Sequence, residues 1–79
     1  MTHYYLIDDA TNSRGRCDAE IINADCDEKA IIYAGFRWSY LTESEKKARD
    51  AFYVIEAEPL DGDDDIPDED NARTVKVIK

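Results

Sequence analysis

The stretch "DCDEKAIIYAGFRWSYLTESEKKARDAFYVIEAE", residues 25–58, carries the reading of the fold. Asp25, with Glu28 three positions on, fits a capping box in which Asp replaces the usual Ser or Thr. A helix is therefore expected from about Cys26 to about Tyr40. At 100° per residue Ala30, Ile31, Ala34, Trp38 and Leu41 share one arc, the pattern of a helix laid on a sheet. Ile32, Tyr33, Phe36 and Tyr40 form a second apolar arc, on the side where a surface helix presents charge. A helix apolar on two sides needs two partners. The second is either the protein's own second helix and loops or another chain, including a second copy in a homodimer.

Thr42 and Glu45 satisfy the full capping-box rule and open a short helix on which Lys46, Lys47 and Arg49 are expected to face water. "AFYVIEAE", residues 51–58, is the best strand in the chain, with Phe52 and Val54 on one face and Tyr53 and Ile55 on the other. Upstream, "HYYLID" (3–8) and "AEIINA" (19–24) read as a hairpin with a long loop around Asn12, Ser13 and Gly15. Ile21 and Ile22 serve opposite faces, so neither face is strongly polar and the sheet is expected to be covered on one side at least. "RTVKVIK" (73–79) supplies the last strand, with Val75 and Val77 inward and Thr74, Lys76 and Ile78 outward. The order ββααββ predicts an α+β fold: a four-stranded, mostly antiparallel sheet with one main helix and one short helix on one face. With 79 residues the chain is read as one domain, 1–79.

Net charge is −9, and its distribution says more than its size. Residues 56–70 hold nine carboxylates (Glu56, Glu58, Asp61, Asp63, Asp64, Asp65, Asp68, Glu69 and Asp70) and no Lys or Arg. The remaining positions balance at ten acids against ten bases. A general pressure for solubility would scatter carboxylates over the surface, whereas here the whole excess belongs to one feature. Pro59, Gly62 and Pro67 stop either neighbouring strand from continuing, so 59–71 is read as an acidic loop joining the last two strands.

That loop fails as an EF-hand, since a register starting at Asp61 puts Ile66 where glycine is required and Ala72 where glutamate is required. No metal site or cofactor is expected. Adjacent aspartates in water lack the desolvated cleft that acid and base catalysis needs, His3 is read as a surface or strand-edge residue, and Ser13, Ser39 and Ser44 lack a nucleophile's setting. No enzyme is indicated. Cys17 and Cys26 match no zinc or redox spacing and are read as free thiols. The N-terminal residues have neither a basic start nor an apolar core, so no signal peptide, no membrane contact and a cytoplasmic setting are expected.

Residues 21–57, through the acid-capped helix, Trp38 followed by Leu41, Thr42 and Glu45, and the aromatic strand, resemble short proteins of unknown function from phages and mobile elements of gut Firmicutes. The resemblance implies an anti-CRISPR or other anti-defence inhibitor, a class in which some members imitate nucleic acid. Duplex DNA carries a charge about every 1.7 Å of axis, and clustered carboxylates can occupy a basic groove built for phosphates. The expected function is thus a small non-enzymatic acidic protein that blocks a basic nucleic-acid-binding surface of a host protein such as a CRISPR effector. Direct nucleic-acid binding is disfavoured by like-charge repulsion. The alternatives are a homodimeric accessory protein whose acidic loop only keeps it soluble, and a divalent-cation-binding module.

Overall fold

The computed structural model describes residues 2–79. Strands β1 (His3–Ala10) and β2 (Arg16–Ile22) form an antiparallel hairpin. Helices α1 (Asp27–Ser39) and α2 (Glu43–Ala48) follow, and β3 (Ala51–Ala57) returns antiparallel to β1. A short hairpin of β4 (Pro59–Leu60) and β5 (Asp63–Pro67), then a 3₁₀ turn at Glu69–Asn71, lead to β6 (Arg73–Val77), antiparallel to β3. The main sheet is four-stranded and antiparallel throughout, in the order β2-β1-β3-β6. The α+β class, the four strands and the two helices are as expected. The second, two-stranded sheet inside the acidic segment is not.

Strict alternation along β1 and β3 divides the interior into two cores. Tyr4, Leu6, Phe52 and Val54 point to one face, where Ile22 and the small Ala30 and Ala34 of α1 complete the packing. Alanines at these two positions let the helix axis approach the sheet closely. Trp38 lies against Phe52 with ring centroids 5.0 Å apart. Tyr5, Ile7, Ile55 and Ala57 point to the other face and are equally buried. This second core explains why neither face of the strands reads as polar.

Several local expectations are corrected. The cap of α1 is Cys26, which makes no side-chain capping bond, and Asp25 instead pairs with Lys29 at 3.1 Å. Arg49 does not face water; it is 5% exposed and its Nε lies 2.5 Å from Oδ1 of Asp8, an ionic contact without hydrogen-bond alignment. Lys46 is half-buried, its ammonium 5.6 Å from the centre of the Trp38 ring. In β6 the pairing with β3 shifts by one residue between Val54 and Ile55, so the alternation of inward and outward positions does not carry through. Val75 and Ile78 therefore pack on the helix side, while Val77 is 59% exposed. The α2 capping box is present as read: the Thr42 hydroxyl accepts from the Glu45 amide, and Glu45 Oε1 accepts from the Thr42 amide at 2.9 Å. Among the described residues no helix is long and apolar enough to cross a membrane.

Candidate protein-binding surfaces

The acidic segment is not a loop tethered at its ends. Asp61 and Gly62 both have positive φ, 53° and 80°, the geometry of the two-residue turn that matches the twist of paired strands. Leu60 thereby faces Asp63, and Pro59 faces Pro67. The hairpin folds back across the second face of the sheet. Pro67 is buried, Ala72 joins the core of Tyr5, Ile7, Ile55 and Ala57, and the Tyr5 hydroxyl donates to the Asp64 carbonyl at 2.8 Å. The Asp68 amide donates to the Glu58 carbonyl at 2.9 Å and closes the base of the hairpin. The segment is a lid over a core.

Its outer surface carries the charge. Asp61, Asp63, Asp64, Asp65, Glu69 and Asp70 are exposed and Asp68 is half-buried. Two of these carboxylates hold local structure: Asp63 accepts from the Asp65 amide at 3.0 Å, and Asp68 from the Asn71 side chain at 2.9 Å. Among the described residues no Lys or Arg forms an ion pair with these seven carboxylates, and the His3 Nε2 lies 3.7 Å from Asp64 Oδ1. The lid's field reaches the tyrosines beneath it. The Tyr5 hydroxyl is pushed above its ordinary pKa first by burial and then by Asp64, Asp65 and Asp63. Tyr53 is raised likewise, by burial and then by Glu69. No group of three or more His, Cys, Asp or Glu side chains among the described residues converges as metal ligands would. The lid's carboxylates are spread over a face.

Two members of the expected acidic site are placed differently. Glu56 belongs to β3 and points to the helix side, where Arg73 donates to its Oε1 at 2.8 Å. The same guanidinium grips Asp27 at the start of α1 through two bonds, of 2.8 and 3.1 Å, and Asp27 also accepts from the Tyr4 hydroxyl at 2.6 Å. Glu56 is thus one anchor of a clasp joining α1, β1, β3 and β6. Glu58, though exposed, lies at the foot of the hairpin. In this clasp Arg73 holds the Asp27 and Glu56 carboxyls below their usual range, and the Asp27 hydrogen bond, followed by burial, pushes the Tyr4 hydroxyl up to about 12.

On the opposite face of the sheet, Ile32, Phe36 and Tyr40 are 64%, 57% and 71% exposed. The second helix does not cover them. Phe36 and Tyr40 meet edge to face, 4.8 Å between centroids, and so form a continuous aromatic ridge. Tyr33 leaves this arc. It is half-buried against the core, and its hydroxyl donates to Glu20 at 2.9 Å beside the Arg37–Glu20 ion pair.

A third feature was not legible in the sequence. Between β1, β2 and the two helices lies a cleft of about 380 Å³ with an apolar floor of Leu6, Leu41 and Phe52. Its walls are charged and hold the Arg16–Asp18, Arg37–Glu20 and Arg49–Asp8 ion pairs. Most of these partners come from different elements, so no spacing announces them. Cys17 and Cys26 are exposed and unbridged.

Compared with known proteins, the chain matches no family model, and no curated protein or solved structure matches it significantly. The functional reading rests on the surfaces themselves.

Proposed function

We propose that the protein is a small non-enzymatic binding protein whose acidic lid docks on a basic, nucleic-acid-binding surface of another protein. The lid displays seven carboxylates between Asp61 and Asp70 on a hairpin and 3₁₀ turn, and among the described residues no Lys or Arg forms an ion pair with any of them. That display carries the reading. Like charges held together raise the energy of the folded state, and the lid's attachment runs through Pro67, Ala72 and the Tyr5 bond to a backbone carbonyl, with no need for most of the carboxylates. A partner rich in Lys and Arg would relieve that repulsion. A fixed display also loses little conformational entropy on docking.

The setting that the sequence resemblance implies, a phage or mobile-element inhibitor acting on a host enzyme such as a CRISPR effector, supplies partners with such grooves. Association would be fast and would weaken steeply as salt rises. The test is a capture from host lysate on the immobilised protein at low and high salt, run beside a variant with Asp61, Asp63, Asp64, Asp65, Asp68 and Asp70 changed to Asn and Glu69 to Gln. Amides keep the acceptor oxygens that Asp63 and Asp68 use. A nucleic-acid-binding protein held by the parent at low salt, and lost from the folded variant, is the expected result. Equal capture by both would sink the proposal.

A further inference from the structure

We infer that the outer edge of β2 receives an extended segment of the basic partner, which adds to the main sheet as an antiparallel strand and sets its Lys and Arg side chains against the acidic lid. The inference rests on the reading of the lid given above and names how the partner meets it.

β2 is an end strand of the main sheet, paired with β1 alone. The hydrogen bonding fixes which of its backbone groups look outward. Phe52 exchanges two backbone bonds with Lys79, of 2.9 and 3.0 Å, so Phe52, Val54 and Glu56 turn their amides and carbonyls toward β6. Alternation then turns Tyr53 and Ile55 toward β1, and turns Leu6 and Asp8 of β1 toward Glu20 and Asp18 of β2. The amides and carbonyls of Cys17, Ala19 and Ile21 are left pointing away from the sheet. Cys17 and Ile21 are exposed, so this row is open to solvent. Such a row of donors and acceptors matches the backbone of an extended chain.

The other edge is guarded. β6 is interrupted by the register shift and carries Lys76, with Lys79 just beyond its end, and both devices keep strands from adding to an edge. β2 runs for seven residues in unbroken register without a proline, and the side chains of its outward-looking residues Cys17, Ala19 and Ile21 are uncharged.

Charge says what the added segment carries. Residues opposite Cys17, Ala19 and Ile21 in an antiparallel strand share their face, and that face belongs to the lid. Ala19 packs against the core of Tyr5 and Ile7, Tyr5 pairs with Ile21 and holds the Asp64 carbonyl, and β5 lies against β2. A strand about 4.8 Å beyond β2 therefore brings long basic side chains within reach of carboxylates that form no ion pair with Lys or Arg among the described residues. On the helix face Arg16, Asp18 and Glu20 carry both signs and set no preference.

A short peptide of alternating Lys and Val, its ends blocked, titrated to about 1 mM into the isotopically labelled full chain tests this. The amides of Cys17, Ala19 and Ile21 should gain protection from hydrogen exchange. N-methylation of the peptide's Lys residues, whose amides face β2, should weaken binding about tenfold or more, whereas N-methylation of its Val residues, at equal charge, should leave it within about threefold. Ala19→Pro removes an outward amide without breaking a bond to β1 and should stay folded while losing the peptide. The seven-amide variant should protect the same three amides but bind about tenfold more weakly. No protection at these amides, or equal binding by the two methylated peptides, overturns the added strand, and the lid reading survives that result if capture from lysate still depends on the lid carboxylates. Undiminished binding by the seven-amide variant overturns the basic character assigned to the segment.

Discussion

Arg49 and Asp8 set the cost of a single side chain in this protein. The guanidinium is almost fully buried and the carboxylate about a quarter exposed, so Arg49→Met leaves a charge partly desolvated without its counter-ion. We expect a loss of about 3 kcal/mol in urea unfolding, most of it recovered when Asp8→Leu is added, because an apolar pair can replace a buried ionic one. The pairing was hidden in the sequence: the partners stand 41 positions apart, and Arg49 follows two lysines on a helix that reads as wholly solvated. The clasp of Arg73 with Asp27 and Glu56 makes the opposite kind of statement, through pH. Both carboxyls are depressed in the folded state, chiefly by Arg73, so their stabilisation is present above the unfolded carboxyl pKa near ~4 and is lost as pH falls through the lower folded values. Arg73→Met should flatten the acid limb of a stability-against-pH curve. At the alkaline end Tyr5 is raised by burial and by the lid, so its contribution is present below about pH 10 and is lost as pH rises through the folded value. Ultraviolet titration of the seven-amide variant should show Tyr5 ionising at lower pH than in the parent, since Asp64, Asp65 and Asp63 all act on it through their charges and all three charges are removed.

At the scale of elements, two turns decide how the chain is laid out. Thr42→Ala removes half of the capping box and should cost about 1 kcal/mol, read as a shift of the urea midpoint at constant slope. Gly62→Ala places a side chain at φ +80° in the lid's hairpin turn and should cost about 1 to 2 kcal/mol, with loss of hydrogen-exchange protection at the Asp68 amide before that at β1 and β3. The capping box could be read from the sequence because its chemistry is local, and β3 because Phe52, Tyr53, Val54 and Ile55 crowd together. The lid's hairpin was equally local in the dipeptide Asp61–Gly62, yet runs of aspartate and two prolines oppose strand formation and outweighed it. What lets those aspartates adopt strand geometry is the sheet face beneath, with Pro67 and the Tyr5 hydroxyl holding the hairpin in place. The inverted positions of Val77 and Ile78 have no local signal, because the register shift that produces them arises between β3 and β6.

For the whole molecule, the antiparallel sheet separates two surfaces of different chemistry: helices with an aromatic ridge on one side, an acidic lid on the other. The excess of charge along residues 56–70 was plain in the sequence, and so was the second apolar arc of α1. Their placement on opposite faces was not, since it follows from the lid folding back over Tyr5 and Ile7. Changing the seven lid carboxylates to amides takes net charge from −9 to −2 and relieves their mutual repulsion, so this variant should melt higher than the parent at low salt. Loss of binding could not then be ascribed to unfolding. The most direct measurement is competition for a single site: a fluorescent DNA duplex bound to the purified partner, titrated with the protein and with the seven-amide variant. The parent should displace the duplex at one lid per site, less effectively as salt rises, and the variant should leave it bound. Displacement by both proteins alike, or a partner that holds the protein and the duplex together, would contradict the account.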